Sequence, residues 1–301
     1  MKPKLLLHPD KWSNATAFFL EPLFDERFER VFIDSTATYN PKESIVYAHC
    51  FDWEWVLPWR DRGFNVVIDN LWEWDDSPHI NDVPSGVNII QSDSWFFRAN
   101  ESLWYKSLGY DRYLRQPNIT KTFLMFLNNA KLFRDQIFEQ IDLSNSIHSY
   151  QARGVKLNYQ DSTSDDWQRA FNPDWYDITN FSMVVESAII QENVWHTEKT
   201  WKPIAFHHPF LLWGPPGYVS NLRKQGFETF DHIIDESYDI EPDDVKRLTL
   251  IIDQVDRLKN IKLTDNETIK RTTHNHNLFF DTAWSKQQFN ENLFLPLLAL
   301  L

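Results

Sequence analysis

Residues 177–239 read DITNFSMVVESAIIQENVWHTEKTWKPIAFHHPFLLWGPPGYVSNLRKQGFETFDHIIDESYD. The order is strand, loop, capped helix, strand, tight turn. The apolar run 181–185 has the length of a buried strand and ends in Glu186-Ser187, so a carboxylate and a hydroxyl emerge at the C-terminal edge of a sheet, where open α/β sheets place ligands. Thr197-Glu198-Lys199 then opens a helix. Thr197 is a good N-cap and Glu198 suits the positive end of the helix dipole. The same helix start offers N–H groups and the Lys199 ammonium to an anion such as a diphosphate. Pro203 either sits in the first turn or deprives the Lys199 carbonyl of its helical donor. The run 210–213, closed by Gly214-Pro215-Pro216-Gly217, supplies the next strand and a rigid turn. A capped helix with a solvated lysine is the plainer account of Thr-Glu-Lys alone. The strand-end Glu186-Ser187 before it and the strand and turn after it favour a binding site.

The same rhythm extends outward. Short apolar runs at 4–7, 30–33, 44–49, 65–68 and 87–91 read as strands, with a helix at 54–62 stopped by Gly63. Strands alternating with helices predict an α/β fold with a mostly parallel sheet covered on both faces. Gln116-Pro117-Asn118 reads as a break, followed by a strand at 121–127, a turn at Asn128-Asn129 and a helix at 131–141. The polar stretch 158–173 reads as a surface loop, and 241–258 as an amphipathic helix with Val245, Leu248, Ile252, Val255 and Leu258 on one stripe.

Composition narrows the function. With 301 residues the chain can bury two ordinary cores, and a 42% hydrophobic, 24% charged balance is that of a globular protein. Only 7 glycines are present, and neither a G-x-G-x-x-G nor a G-x-x-x-x-G-K-[ST] motif occurs, which argues against dinucleotide and P-loop sites. The net charge of −13 disfavours general nucleic-acid binding. The single cysteine, Cys50, excludes an intramolecular disulfide and a cysteine-rich zinc site. No apolar stretch approaches a membrane span, and the first residues lack a signal-peptide core, so a cytoplasmic location is expected. The 14 tryptophans can line a cleft for sugars or bases, although rings of this size mostly fill cores.

The order strand, E-[NS], loop, aromatic, T-E-K, helix, apolar strand, Gly resembles the donor-binding half of α1,3-fucosyltransferase-type glycosyltransferases. Residues 123–134, FLMFLNNAKLFR, are similar to that family's strand and turn leading to a phosphate-binding arginine, and 226–239 to viral-type proteins that share this half. The resemblance covers about residues 121–260. It implies a GT-B arrangement of two Rossmann-like domains facing a cleft: an acceptor-side domain at 1–117, a donor-binding domain at 118–283, and a C-terminal helix at 284–301 returning to the first domain. It implies a nucleotide-diphosphate sugar as donor substrate, no resident cofactor and no metal. Arg134 and Lys199 would neutralise the diphosphate, Glu198 would hold a ribose or sugar hydroxyl, and Glu186 would contact the sugar or orient the loop. Trp195 stands where the family has a tyrosine, and Ser187 where it has asparagine, so the base and the sugar stay open.

Inverting transfer needs a base for the acceptor hydroxyl and stabilisation of the leaving diphosphate. Asp52 and Glu73, each among tryptophans, are the candidate bases; the rings would form an acceptor platform and raise a carboxyl's pKa. The acceptor is a glycan, a protein, a small molecule or a modified nucleobase. Two other readings stand beside this one. A non-catalytic relative could keep the fold as a binding or assembly module. Alternatively, Asp52-Trp-Glu54 and Glu73-Trp-Asp75 could hold a divalent metal in a single-domain (GT-A type) glycosyltransferase. His207-His208 and His274-Asn-His276 lack the spacing of a helical zinc pair and read as structural.

Overall fold

The computed structural model describes residues 2–7, 25–33, 38–49, 53–70, 83–91, 94–159, 171–186, 194 and 196–301. They form two compact units, one of Met1–Trp104 with Thr282–Leu301, the other of Tyr105–Asp281. Each is built on an all-parallel sheet.

The first unit's sheet runs in the order β2-β1-β3-β4-β5: β1 Lys4–Leu7, β2 Glu29–Phe32, β3 Ser44–His49, β4 Asn65–Asn70 and β5 Val87–Gln91. Because successive strand residues point to opposite faces, the strands supply two cores. Leu6, Val46, Ala48, Val66 and Ile68 face one side, where α1 (Trp53–Asp61) contributes Val56 and Trp59. Leu5, Leu7, Ile45, Tyr47, Val67 and Ile90 face the other, meeting Trp95, Phe96 and Ala99 of α2 (Ser94–Ser107). The same core takes Phe289, Leu293, Phe294 and Leu297. These come from α9 (Thr282–Phe289), a wide π turn at Asn290–Phe294, and α10 (Leu295–Leu298). The Phe289 ring meets Trp95 and Phe96 edge-on at 5.2 and 5.8 Å between centroids.

The second unit's sheet runs β7-β6-β8-β9, with β6 Lys121–Leu127, β7 Ile147–Tyr150, β8 Thr179–Val185 and β9 Phe210–Trp213. Every residue of β8 and β9 is buried, as expected of parallel strands covered on both faces. The helices are α3 (Leu132–Gln140), α4 (Pro173–Ile178), α5 (Glu198–Ala205), α6 (Tyr218–Lys224), α7 (Asp244–Leu258) and α8 (Asn266–Phe279).

Helix α7 differs from its sequence reading. It begins at Asp244 because Asp243 caps it, accepting from the Lys246 N–H at 2.9 Å. Its buried face is Arg247, Leu248, Ile251, Gln254, Val255 and Leu258, while Val245 is 74% exposed. The stripe is rotated by two inward polar residues. Arg247 donates to the Tyr238 and Gly214 carbonyls at 3.0 and 2.7 Å and lies 5.2 Å from the Trp213 ring. Gln254 accepts from the Asp235 N–H at 2.9 Å.

Helices α2 and α8 and strand β7 are not legible as periodic patterns. Helix α2 buries Arg98, Asn100, Glu101 and Ser102 as well as its rings, so it shows no polar face. Helix α8 turns Thr268, Thr272, Asn275 and His276 inward; Asn275 exchanges two 2.7 Å hydrogen bonds with the backbone of Glu228.

Candidate functional site

Strand β8 delivers Glu186 to its C-terminal end, 2% exposed. A carboxylate so enclosed requires donors, and they come from the starts of two helices, α5 and α6. The Thr197 hydroxyl donates to Oε2 at 2.8 Å and the Thr197 N–H reaches Oε1 at 3.5 Å. The Thr200 hydroxyl donates to Oε1 at 3.1 Å, and the Tyr218 hydroxyl makes a short hydrogen bond to the same oxygen. Thr200 Oγ1 and Tyr218 Oη are themselves 2.8 Å apart. Thr197 is the N-cap of α5: its hydroxyl gives its one proton to Glu186 and accepts from the Lys199 N–H at 3.3 Å and the Lys199 ammonium at 3.1 Å. The hydroxyl's capacity is thereby filled.

Two small features hold this node. Gly214 leaves room for the Tyr218 ring; a Cβ there would lie 2.5 Å from Tyr218 Cγ. His196, fully buried, binds the Tyr218 carbonyl through Nε2 at 3.0 Å and faces the Gln225 amide through Nδ1 at 3.1 Å. Burial lowers its pKa to about 4, so the ring is neutral, with Nε2 donating and Nδ1 accepting.

Lys199 Nζ lies 2.9 Å from Glu198 Oε1 and 3.7 Å from Glu186 Oε2. Burial pushes the Glu198 carboxyl up, but the charges of Lys199 and Lys202 outweigh it and hold the group below its usual range. Pro203 lies inside α5; it has no N–H for the Lys199 carbonyl, and the Phe206 N–H turns back to Lys202 and Pro203. The next helix start is filled from within. Asp239, 3% exposed, accepts from the Val219 and Ser220 N–H groups at 2.8 and 3.0 Å at the head of α6.

Glu198, Lys199 and Lys202 form one wall of a cavity of about 520 Å³ at the C-terminal edge of β6 and β7. The rest of its lining is Phe126 to Asn128, Ser149, Gln151, Trp175 and the turn Gly154 to Leu157, which brings Lys156. The Phe126 and Trp175 rings lie 5.1 Å apart. A cavity with an apolar aromatic side and a cationic side suits a ligand with a ring at one end and negative charge at the other.

Of the residues singled out from sequence, Glu186, Thr197, Glu198 and Lys199 lie together here. Arg134 is 1% exposed and donates to the Asn129 and Val185 carbonyls at 3.2 and 3.3 Å, tying the turn after β6 to the end of β8. It is not part of the cavity wall. Asp52, Glu73, Ser187 and Trp195 lie outside the described residues, as do Asp75 and the side chain of Glu54. Among the described residues, no three His, Cys, Asp or Glu come together as a metal-binding group. His196, Thr200, Lys202 and Tyr218 escaped the sequence reading. The available signal was spacing: Thr197 and Thr200 share a helix face, as do Glu198 and Lys202, and Tyr218 directly follows the glycine turn.

The architecture is thus α/β with two all-parallel sheets, the second carrying a charged cavity at the edge where such sheets bind ligands. No family model matches the chain. No curated protein matches it. Among solved structures, the chain is similar in fold to a crystal structure of an alpha1,3-fucosyltransferase: TM-score 0.46, 11% identity, covering 88% of this chain and 83% of that one. No helix among the described residues is long and apolar enough to cross a membrane.

Proposed function

We propose that the chain is a glycosyltransferase that moves a sugar from a nucleotide-diphosphate donor to an acceptor hydroxyl. The observation that carries this reading is the cavity beside α5, with Glu198 and Lys199 on one wall, Phe126 and Trp175 on another, and its geometry set by the buried Glu186 node. The half-buried Phe126 ring, backed by the buried Trp175, accommodates the base, Glu198 accepts from a ribose or sugar hydroxyl, and Lys199 meets the diphosphate as the glycosidic bond breaks, where charge develops on the leaving oxygen. Glu186 is a positioning residue: it fixes Thr197 and, through it, the helix start. Transfer is inverting and metal-independent in this proposal. Asp52 and Glu73 are the candidates for the base that takes the acceptor's proton. The acceptor is a glycan, a protein, a small molecule or a modified nucleobase.

The test is isothermal titration with GDP, UDP, ADP, CDP and dTDP, followed by a hydrolysis screen of the matching nucleotide sugars. At least one diphosphate should bind, and its sugar should be slowly hydrolysed. A chain that binds none is a non-catalytic module. One that binds without hydrolysing or transferring any sugar retains the pocket and loses the enzymatic reading.

A further inference from the structure

We infer that Lys202 supplies a second positive charge to the donor's diphosphate beside Lys199, and that Arg134 serves the site only by positioning it. This rests on the donor-cavity reading above and assigns the cations within it.

Three observations carry the inference. First, the backbone donors at the start of α5 are already engaged. The Thr197 N–H faces Glu186 at 3.5 Å, the Lys199 N–H faces the Thr197 hydroxyl at 3.3 Å, and the Thr200 N–H faces the Thr197 carbonyl at 3.1 Å. The helix terminus therefore has little left to give an anion. Second, Lys199 is shared between two carboxylates, 2.9 Å from Glu198 and 3.7 Å from Glu186. Those three groups sum to one negative charge, which would repel a diphosphate. Third, Lys202 lies one turn further along α5, only 9% exposed, and lines the same cavity. Enclosing an ammonium costs solvation, and this one is placed where it cancels the remaining charge. Lys156, exposed on the turn Gly154 to Leu157 of the same lining, brings the sum over the described charged groups to a positive value. The Arg134 guanidinium, by contrast, donates to the Asn129 and Val185 carbonyls and does not line this cavity.

The experiment measures affinity for the tightest-binding diphosphate of the panel, and for its monophosphate, in wild type, Lys202→Met, Lys202→Arg, Lys199→Ala and Arg134→Gln. Lys202→Met keeps the apolar stem and drops the charge. It should weaken the diphosphate about tenfold or more, weaken the monophosphate less, and reduce the salt dependence of binding. Lys202→Arg should restore affinity. Arg134→Gln should lower the melting temperature and weaken both nucleotides by similar factors. If wild type binds no diphosphate, the donor-cavity reading itself falls, and this inference with it. If Lys199→Ala loses affinity while Lys202→Met binds as wild type does, the cavity stands and Lys202 is not its second cation. A loss in Lys202→Met that Lys202→Arg fails to restore, or that is equal for both nucleotides, marks a packing role and overturns the inference. A selective loss of the diphosphate in Arg134→Gln overturns the role given to Arg134.

Discussion

Glu186→Gln is the most incisive change to the node beneath the cavity, because it preserves shape and reverses one hydrogen-bonding atom. Both carboxylate oxygens of Glu186 accept: Oε1 from Thr200 and Tyr218, Oε2 from the Thr197 hydroxyl. A glutamine must turn its NH2 toward one set of donors, whichever way it flips. If it faces Thr197, that hydroxyl cannot simply rotate to accept, since it already accepts from the Lys199 N–H and ammonium. If it faces Thr200 and Tyr218, one of those hydroxyls can accept only by giving up its own bond. Leaving a buried polar group unsatisfied costs about 1–3 kcal/mol. In a unit of this size that corresponds to a melting shift of roughly 2–12 °C. Tyr218→Phe removes one donor and keeps the ring, so it should fall within the same range. Because Tyr218 and Glu186 share the bond, the double variant should lose less than the sum of the two. The assay is thermal denaturation of all three variants alongside diphosphate affinity, which should fall as Thr197 and Lys199 lose their register. Melting and affinity equal to wild type in Glu186→Gln would refute the reasoning that this carboxylate organises the site.

Gly214→Ala should act on the same node from outside, since the new Cβ would collide with the Tyr218 ring at 2.5 Å; a melt unchanged from wild type would show that the ring can move aside freely. Acidification should destabilise the second unit. His196 and His207 have folded pKa values lowered by burial to about 4 and about 3, and His208 and His276 are lowered as well. Their contribution is complete above about pH 6.5 and lost as pH falls toward those values, by up to about 1.4 kcal/mol per pH unit for each group. Glu236, raised by burial to about 7, opposes this as one group, so melting temperature should still drop between pH 7 and pH 5; equal melting would contradict the burial assigned to the histidines. EDTA should leave transfer unchanged, whereas a strict Mn²⁺ or Mg²⁺ requirement would promote the acidic triplets around Trp53 and Trp74. Deletion of 290–301 removes Leu293, Phe294 and Leu297, all in the first unit's core. At about 1.5–3 kcal/mol each the loss rivals a domain's whole stability of about 5–15 kcal/mol, so insoluble protein is expected, and a soluble, fully active truncate would refute it.

What the sequence determined by itself is local. The apolar runs that became β1, β3 and β6 are short and bounded by turn residues, and their alternation with helices demanded parallel sheets. Thr197 as the N-cap of α5 and Pro203 as an interruption within it follow from neighbours a few residues away. The tertiary structure decided whatever depends on groups distant in the chain. The Tyr218 hydroxyl reaches Glu186 across 32 residues, Arg134 reaches the Val185 carbonyl across 51, and His276 reaches the Ala205 carbonyl across 71. Sequence marked Arg134 as a cation suited to phosphate, but only the fold shows its guanidinium turned to backbone carbonyls. Conversely, Lys202 looks like any helical lysine until Phe126 at the end of β6 and Trp175 of α4 close one cavity with it. A side chain's chemistry is written in the sequence, but its solvation and partners exist only once distant segments close around it, and those set which charges a ligand can meet.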